Sequence, residues 1–273
     1  MEKKWRLLPY ETDYEFLQRC RKHANKFLWA IGILSVTMQL INGLSGIFNI
    51  IYIIIKLIDI VLIVGYYVLN VVTEIFLYPK TANKRRMGLV DNSFGSKYLG
   101  KPTKGYYSND DLKLGIYKFT VNIYESCLFT YNISKRMTPQ VVIKNVVSGI
   151  VFIILIYFGG KNNMLLIPIL QIILSSLFVT ELIHQLNFVS KLERLIEQFK
   201  DLYSNYQKTS NVKIYEDISK EIMLDLEYET ILAYNKAPLS DKIYNEIRIK
   251  LTDEWERIKV KYGIIKSGNE LNS

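Results

Sequence analysis

Apolar and polar residues in this chain fall into separate blocks, and the blocks predict the elements. From Ile47 to Val68 the sequence reads IFNIIYIIIKLIDIVLIVGYYV, 22 residues whose strongly polar members are Asn49, Lys56 and Asp59. About 20 apolar residues at 1.5 Å rise each cover the ~30 Å hydrocarbon core of a bilayer. A soluble core helix would carry one apolar stripe, whereas this run is apolar on every side. It predicts a transmembrane helix. Three more runs repeat the pattern: 27–41 (FLWAIGILSVTMQLI), 141–158 and 164–182. The run 141–158 has a fully apolar part of only 13 residues, and Lys144 at its entry can snorkel to the interface. Turn residues at 42–46 (NGLSG) and 159–163 (GGKNN) join the runs in pairs. Two helical hairpins are expected.

The remaining blocks are charged. Residues 10–27 read as a helix leading into the first span, and the second span should continue through NVVTEIFLYPK and leave the bilayer near Tyr78–Pro79. Gly95, Gly100, Pro102 and Gly105 make 91–110 irregular, and a helix is predicted from about Asp110 to Met137, ending at Thr138-Pro139. Beyond Leu182, narrow apolar stripes at helical spacing run from Phe188 to Tyr206, from Ile214 to Leu226 and from Ile243 to Tyr262. Ala237-Pro238-Leu239-Ser240 breaks the series, and Thr252-Asp253-Glu254 is a plausible helix restart. The expected fold is all-α: an integral membrane protein with four transmembrane helices in two hairpins and a cytoplasmic helical body. Its divisions are an N-terminal helix (1–26), hairpin 1 (27–78), a middle segment (79–140), hairpin 2 (141–182) and a C-terminal helical region (183–273).

Charge sets the topology. Residues 1–26 hold seven Lys/Arg and residues 80–140 hold eleven, against a single lysine, Lys161, in the two turns. The positive-inside rule then places both termini and the middle segment in the cytoplasm. This asymmetry accounts for most of the net charge of +9 and points to an anionic membrane surface, not to a DNA or RNA polymer. No cleavable signal peptide is expected, because polar residues of mixed charge precede the first run. Lys56 and Asp59, three apart in the middle of a span, share a helical face and can neutralise each other. They are either a structural ion pair or, with Asn49, a polar seam for a pore or subunit contact.

Catalytic chemistry is not indicated. No phosphate-cradling glycine loop, HExxH or GxSxG occurs. Two cysteines, Cys20 and Cys127, are too few for a disulfide framework, and with His23 and His184 they make no metal set. Cys20 and His23 read as chance neighbours. No enzyme, cofactor or metal is expected.

The polar motifs lie in the middle segment. Asp91, Asn92 and Phe94 fall in LVDNSFG, Tyr106, Tyr107 and Asn109 in GYYSND, and Asn122 and Glu125 stand i, i+3 on the following helix. They are either turn and capping chemistry or a ligand pocket, with aromatic faces for a base, Asn and Asp for polar edges, and Arg85 and Arg86 for phosphate.

The order of two spans, ANKRRMGLVDNSFG, GYYSND, NIYESCLFT, two further spans and LEYETILAYNKAPLSDKIYNEIRIKLTDEWERIKVKY resembles the bacterial four-transmembrane effector family associated with nucleotide-synthesising antiphage loci. The resemblance implies an inner-membrane effector, activated by a cyclic oligonucleotide second messenger, that compromises the bilayer. Homo-oligomerisation is expected with it, and the lipid bilayer is the other partner. Placing the sensing site at Arg85, Arg86 and the motif residues is an inference from motif position. The alternatives are a constitutive channel or transporter, or a scaffold without nucleotide sensing.

Overall fold

The structure, a computed structural model, describes residues 10–41, 47–101, 107–159, 166–208, 214–235 and 240–264. Only backbone is described at 36, 39–41, 47–49, 148, 151–159, 166–179, 207–208 and 214–217. Both turns of the expected hairpins and Tyr106 lie outside the described residues, and Asn49 is placed as backbone only.

Every regular element among the described residues is helical, as expected: α1 (Glu11–Ile41), α2 (Ile47–Val71), α3 (Tyr78–Phe94), α4 (Ile116–Gly159), α5 (Leu166–Lys208), α6 (Ile214–Asn235) and α7 (Asp241–Lys261). A π-helical stretch, Val72–Leu77, joins α2 to α3 without a break. The resulting helix, Ile50–Phe94, is the one among the described residues that is both long and apolar enough to cross a membrane.

One predicted helix end, at Thr138-Pro139, is not observed, and two further helices run through the expected bilayer exit at Pro79 and the possible restart at Thr252. The second helix does not stop at Pro79 but runs on to Phe94. A proline ring clashes with the carbonyl one turn back in an α register. Here that turn is π-helical, with the Tyr78 N–H donating to the Thr73 carbonyl, so the register differs where the ring sits. Pro139 likewise lies inside α4. The Ser134 carbonyl in the turn before it accepts from the Thr138 hydroxyl (3.0 Å) and from Gln185 Nε2 (2.8 Å), which ties this turn to α5. Finally, α7 passes through Thr252 unbroken, its hydroxyl bonded back to the Arg248 carbonyl at 2.9 Å.

The chain divides into two compact units. One comprises 9–86 and 150–172. In it α1 packs against α2 as an antiparallel pair. Lys84 Nζ donates to Asp13 at 2.6 Å, Arg21 Nε and Nη2 donate to Glu74 at 2.9 and 3.2 Å, and a Cβ on Gly65 would stand 3.0 Å from the Phe27 ring. The contacts are thus ionic toward the α1 N-terminus and apolar toward the turn. Outward faces of α2 carry Ile53, Leu57, Val61 and Val64, the last two 69% and 57% exposed.

Asp59 is buried, whereas Lys56 is exposed. Asp59 Oδ1 has no hydrogen-bond partner among the described residues, and Lys56 makes no ion pair with it. The expected neutralising pair is therefore not formed. Asp59 faces inward and Lys56 outward, although they are only three residues apart.

The second unit comprises 87–149 and the described residues from 173 onward. Its core joins α3, α4, α5, α6 and α7 around Tyr124, Phe199, Tyr203, Trp255 and Phe188. Tyr124 stacks on Phe199 (centroids 4.9 Å apart) and on Tyr203 (5.7 Å), and Trp255 meets it edge-on at 5.2 Å. Such pairs add roughly 0.5–1.5 kcal/mol each beyond the area they bury. A smaller cluster, Ile133, Ile243, Ile247 and Leu251, fixes α7 to α4.

Candidate functional site

The end of α3 is shaped by Gly95, at φ +71°, whose N–H donates to the Asp91 carbonyl at 2.9 Å. A left-handed residue here closes the helix, and a Cβ would lie 2.9 Å from Leu114 Cδ1. The chain then doubles back over Asp91. The Asp91 carboxylate accepts from the Ser96 hydroxyl (2.7 Å) and from the N–H groups of Tyr98 (2.8 Å) and Leu99 (2.9 Å). Burial works to raise this carboxyl, but those three donors outweigh it and hold the acid below its ordinary 3.8. Asp91 is thereby the organiser of the turn that follows α3.

Next to it a buried amide chain links three segments. Asn122 on α4 donates to Asn92 Oδ1 (2.9 Å) and Ser93 Oγ (3.0 Å), and accepts from Asn109 Nδ2 (3.0 Å). Asn109 also donates to Glu125 Oε2 at 2.7 Å and accepts from the Trp255 indole N–H at 3.2 Å. Glu125 accepts in addition from the Ser108 N–H and hydroxyl, the hydroxyl at 3.1 Å. Lys259 reaches the Ser108 carbonyl at 3.4 Å. Asn122, Ser93 and Trp255 are fully enclosed, and Asn109 is 2% exposed.

Burial drives Glu125 up from its ordinary 4.5 to about 7, against the opposing pull of the Ser108 N–H and hydroxyl, Lys259 and Asn109. At neutral pH the site therefore holds a carboxyl poised between its two charge states. Both Asn side chains use their two amide hydrogens and their carbonyl oxygen within the network, which satisfies the demand that buried polar groups be bonded.

The structure thus brings together Asn92, Asn109, Asn122 and Glu125, with Asp91 beside them on α3. Tyr107, 3% exposed, belongs to the main core, so protein neighbours occupy its ring. Phe94 is exposed and stands 5.6 Å from the Phe119 ring. Arg85 and Arg86 belong to the other compact unit, one to two turns upstream on α3. Sequence reasoning missed Ser93, Ser108, Trp255 and Lys259. Trp255 was legible in principle, because a tryptophan on an apolar stripe needs an acceptor for its N–H once buried.

Cys20 and Cys127 are unpaired thiols, and the described residues contain no metal-type cluster of His, Cys, Asp and Glu. His184 packs 5.7 Å from the Tyr234 ring. Comparison of the chain with family models, with curated proteins and with solved structures gives no match.

Proposed function

We propose that the chain is a membrane effector of bacterial antiphage defence, in which the helical body senses a cyclic oligonucleotide and the apolar helices act on the inner membrane. In this reading four spans form two hairpins, the Lys/Arg-rich segments and both termini are cytoplasmic, and activated copies assemble into oligomers. The observation that carries it is helix continuity. One unbroken helix holds the exposed apolar face of α2 and, at its other end, Asp91 and Asn92. A second, α4, begins near Asn122 and Glu125 and ends in the apolar run 146–158. A ligand that exchanges partners within the amide network would act on helices whose chain continues into the apolar segments, and packed helices respond to such shifts in discrete steps.

Arg85 and Arg86 supply the guanidinium chemistry a cyclic phosphodiester requires. Dye-loaded liposomes containing the purified protein test the reading against a panel of cyclic di- and trinucleotides. One member should release dye, and Arg85→Ala with Arg86→Ala should suppress release. No release with any member overturns the sensing reading. The saturated hydrogen bonding of Asn109 and Asn122 favours a second reading, a scaffold whose network only fixes the fold. In that case Asn122→Ala weakens the body without altering membrane integrity.

A further inference from the structure

The first turn of α4 gathers positive groups that have no partner among the described residues. Gly115, at φ +148°, caps the helix: its N–H donates to the Ser93 carbonyl at 2.9 Å, and its carbonyl accepts from the Phe119 N–H at 3.1 Å. That second bond is the first of the helix, so the N–H groups of Ile116, Tyr117 and Lys118 point out of its end unbonded. A glycine brings no side-chain oxygen to cap them, and the first turn holds no acidic residue. A Cβ on Gly115 would meet nothing within 4 Å, so this end faces open space.

Lys118 adds a full charge to the same turn. It is 4% exposed and makes no ion pair or hydrogen bond among the described residues. The carboxylates of the neighbouring network have other donors: Asp91 has Ser96, Tyr98 and Leu99, and Asp110 has Asn92. Glu125 has Ser108 and Asn109, with Lys259 as the cation acting on it. Side chains on a helix lean toward its N-terminus, which carries Lys118 toward the unbonded N–H groups. The helix dipole makes that end positive as well, and a buried charge is costly unless it is paired.

We propose that the first turn of α4 binds one phosphoryl group, held by the N–H groups of Ile116, Tyr117 and Lys118 and by the Lys118 ammonium. Helix N-termini hold phosphate through this combination of N–H groups and dipole. About 40 Å of helix separates Lys118 from the apolar run that starts at Val146. Lipid headgroups at that run are out of reach, so the phosphate is that of a soluble ligand. Phe94 follows Ser93 directly, is exposed, and stands 5.6 Å from the Phe119 ring, which offers an aromatic face to a base carried on that phosphate. The nucleotide carrier rests on the sensing reading above; the phosphoryl site does not.

Phosphorus-31 line broadening of inorganic phosphate, titrated with the full chain in phosphorus-free detergent, tests the site. The wild type should broaden the line saturably. Lys118→Met keeps the buried stem and removes the charge, so it should weaken binding about tenfold or more. Its phosphate-free Tm should equal or exceed that of the wild type, because an unpaired charge is gone. Lys118→Arg should retain binding. No saturable broadening by the wild type, or wild-type affinity in Lys118→Met, overturns the site. A lower phosphate-free Tm in Lys118→Met also overturns it, since the protein itself would then be compensating the ammonium. Phosphate binding through Lys118 without dye release by any cyclic nucleotide keeps the site and removes the sensing reading. Dye release without phosphate binding does the reverse.

Discussion

The α1–α2 pair and the α4–α7 body solve opposite problems with the same amino acids. In the body, large apolar side chains are enclosed: Trp255, Tyr124, Phe199 and Leu192 are fully buried. In the pair, Ile53, Leu57, Val61 and Val64 point away from the protein. Water would not tolerate so large an apolar surface, but lipid would. Polar groups reverse in the same way. The body encloses a bonded network of Asn, Glu and Trp, while ionic contacts in the pair gather at one end, around Arg21 and Lys84. The contrast is the one that two different solvents would impose, and α2 is long and apolar enough for the second of them to be a membrane.

The sharpest way to break this comparison is to remove one large side chain from the body. Trp255→Ala would leave a cavity beneath Tyr124 and strip Asn109 Oδ1 of its donor. A loss of about 3–5 kcal/mol is expected, read by denaturant unfolding in detergent. Val61→Ala, by contrast, should change stability by less than ~0.5 kcal/mol in the same assay. Similar losses for both would mean that Val61 is covered by protein.

A second substitution asks which solvent each exposed face meets. Val61 on α2 and Val260 on α7 are both apolar and exposed, by 69% and 83%. An arginine at the centre of a span costs about 2.5–3.5 kcal/mol on insertion scales, and at a water-facing position almost nothing. Val61→Arg should therefore lower the carbonate-resistant membrane fraction severalfold, and Val260→Arg should leave it unchanged. Equal behaviour of the two variants would remove the case for α2 as a span.

Much of this contrast is legible in the sequence, because both solvents impose a period or its absence. Ile47 to Val68 has no polar face, and the stripe Ile243, Ile247, Leu251, Trp255 has one. Helix ends are less legible. Pro79 and Pro139 are stop signals that the helices run through, the first in a π turn and the second beside a contact from Gln185, 46 residues beyond Pro139 in sequence. The amide network is half legible: Asn92, Asn109, Asn122 and Glu125 stand out as polar motifs, but their convergence on Trp255 depends on how α7 packs. The orientation of Lys56 and Asp59 was not accessible at all, since i, i+3 spacing permits a pair without requiring it.

The network also sharpens the comparison through pH, with effects smaller than the cavity. Folded Glu125 keeps its proton up to about pH 7, whereas unfolded glutamic acid releases it near 4.5. Between those values the folded state binds more protons, so stability falls as pH rises through the window and levels off above it. Asp225, raised by burial from 3.8 to about 8, acts with the same sign. Wild-type Tm should fall between about pH 5 and 8. Glu125→Gln should roughly halve the slope below about pH 7, Asp225→Asn should halve it there and remove it above about pH 7, and the double variant should lose nearly all of it. An unchanged slope in Glu125→Gln would show that Glu125 stays ionised and that Lys259 and the Ser108 donors dominate burial.

The smallest expected effect belongs to the ionic end of the α1–α2 pair. Arg21 grips Glu74 with two nitrogens, its guanidinium lies 5.4 Å over the Tyr78 ring, and the two side chains are 16% and 25% exposed. Partial exposure screens the charge, so the attraction falls well short of its buried limit. Two-point geometry still makes it stronger than a flexible surface pair. A double-mutant cycle of Arg21→Gln and Glu74→Gln should give a coupling of about 1 kcal/mol, read by SDS titration of the protein in mixed micelles. Arg21→Lys should recover less than half of it, because an ammonium cannot span both carboxylate oxygens. Zero coupling would mean that apolar contact such as that of Phe27 with Gly65 aligns α1 and α2 unaided. A coupling above about 2 kcal/mol would place this end in a far less polar medium than its exposure implies, extending the lipid-facing region into the π-helical turn.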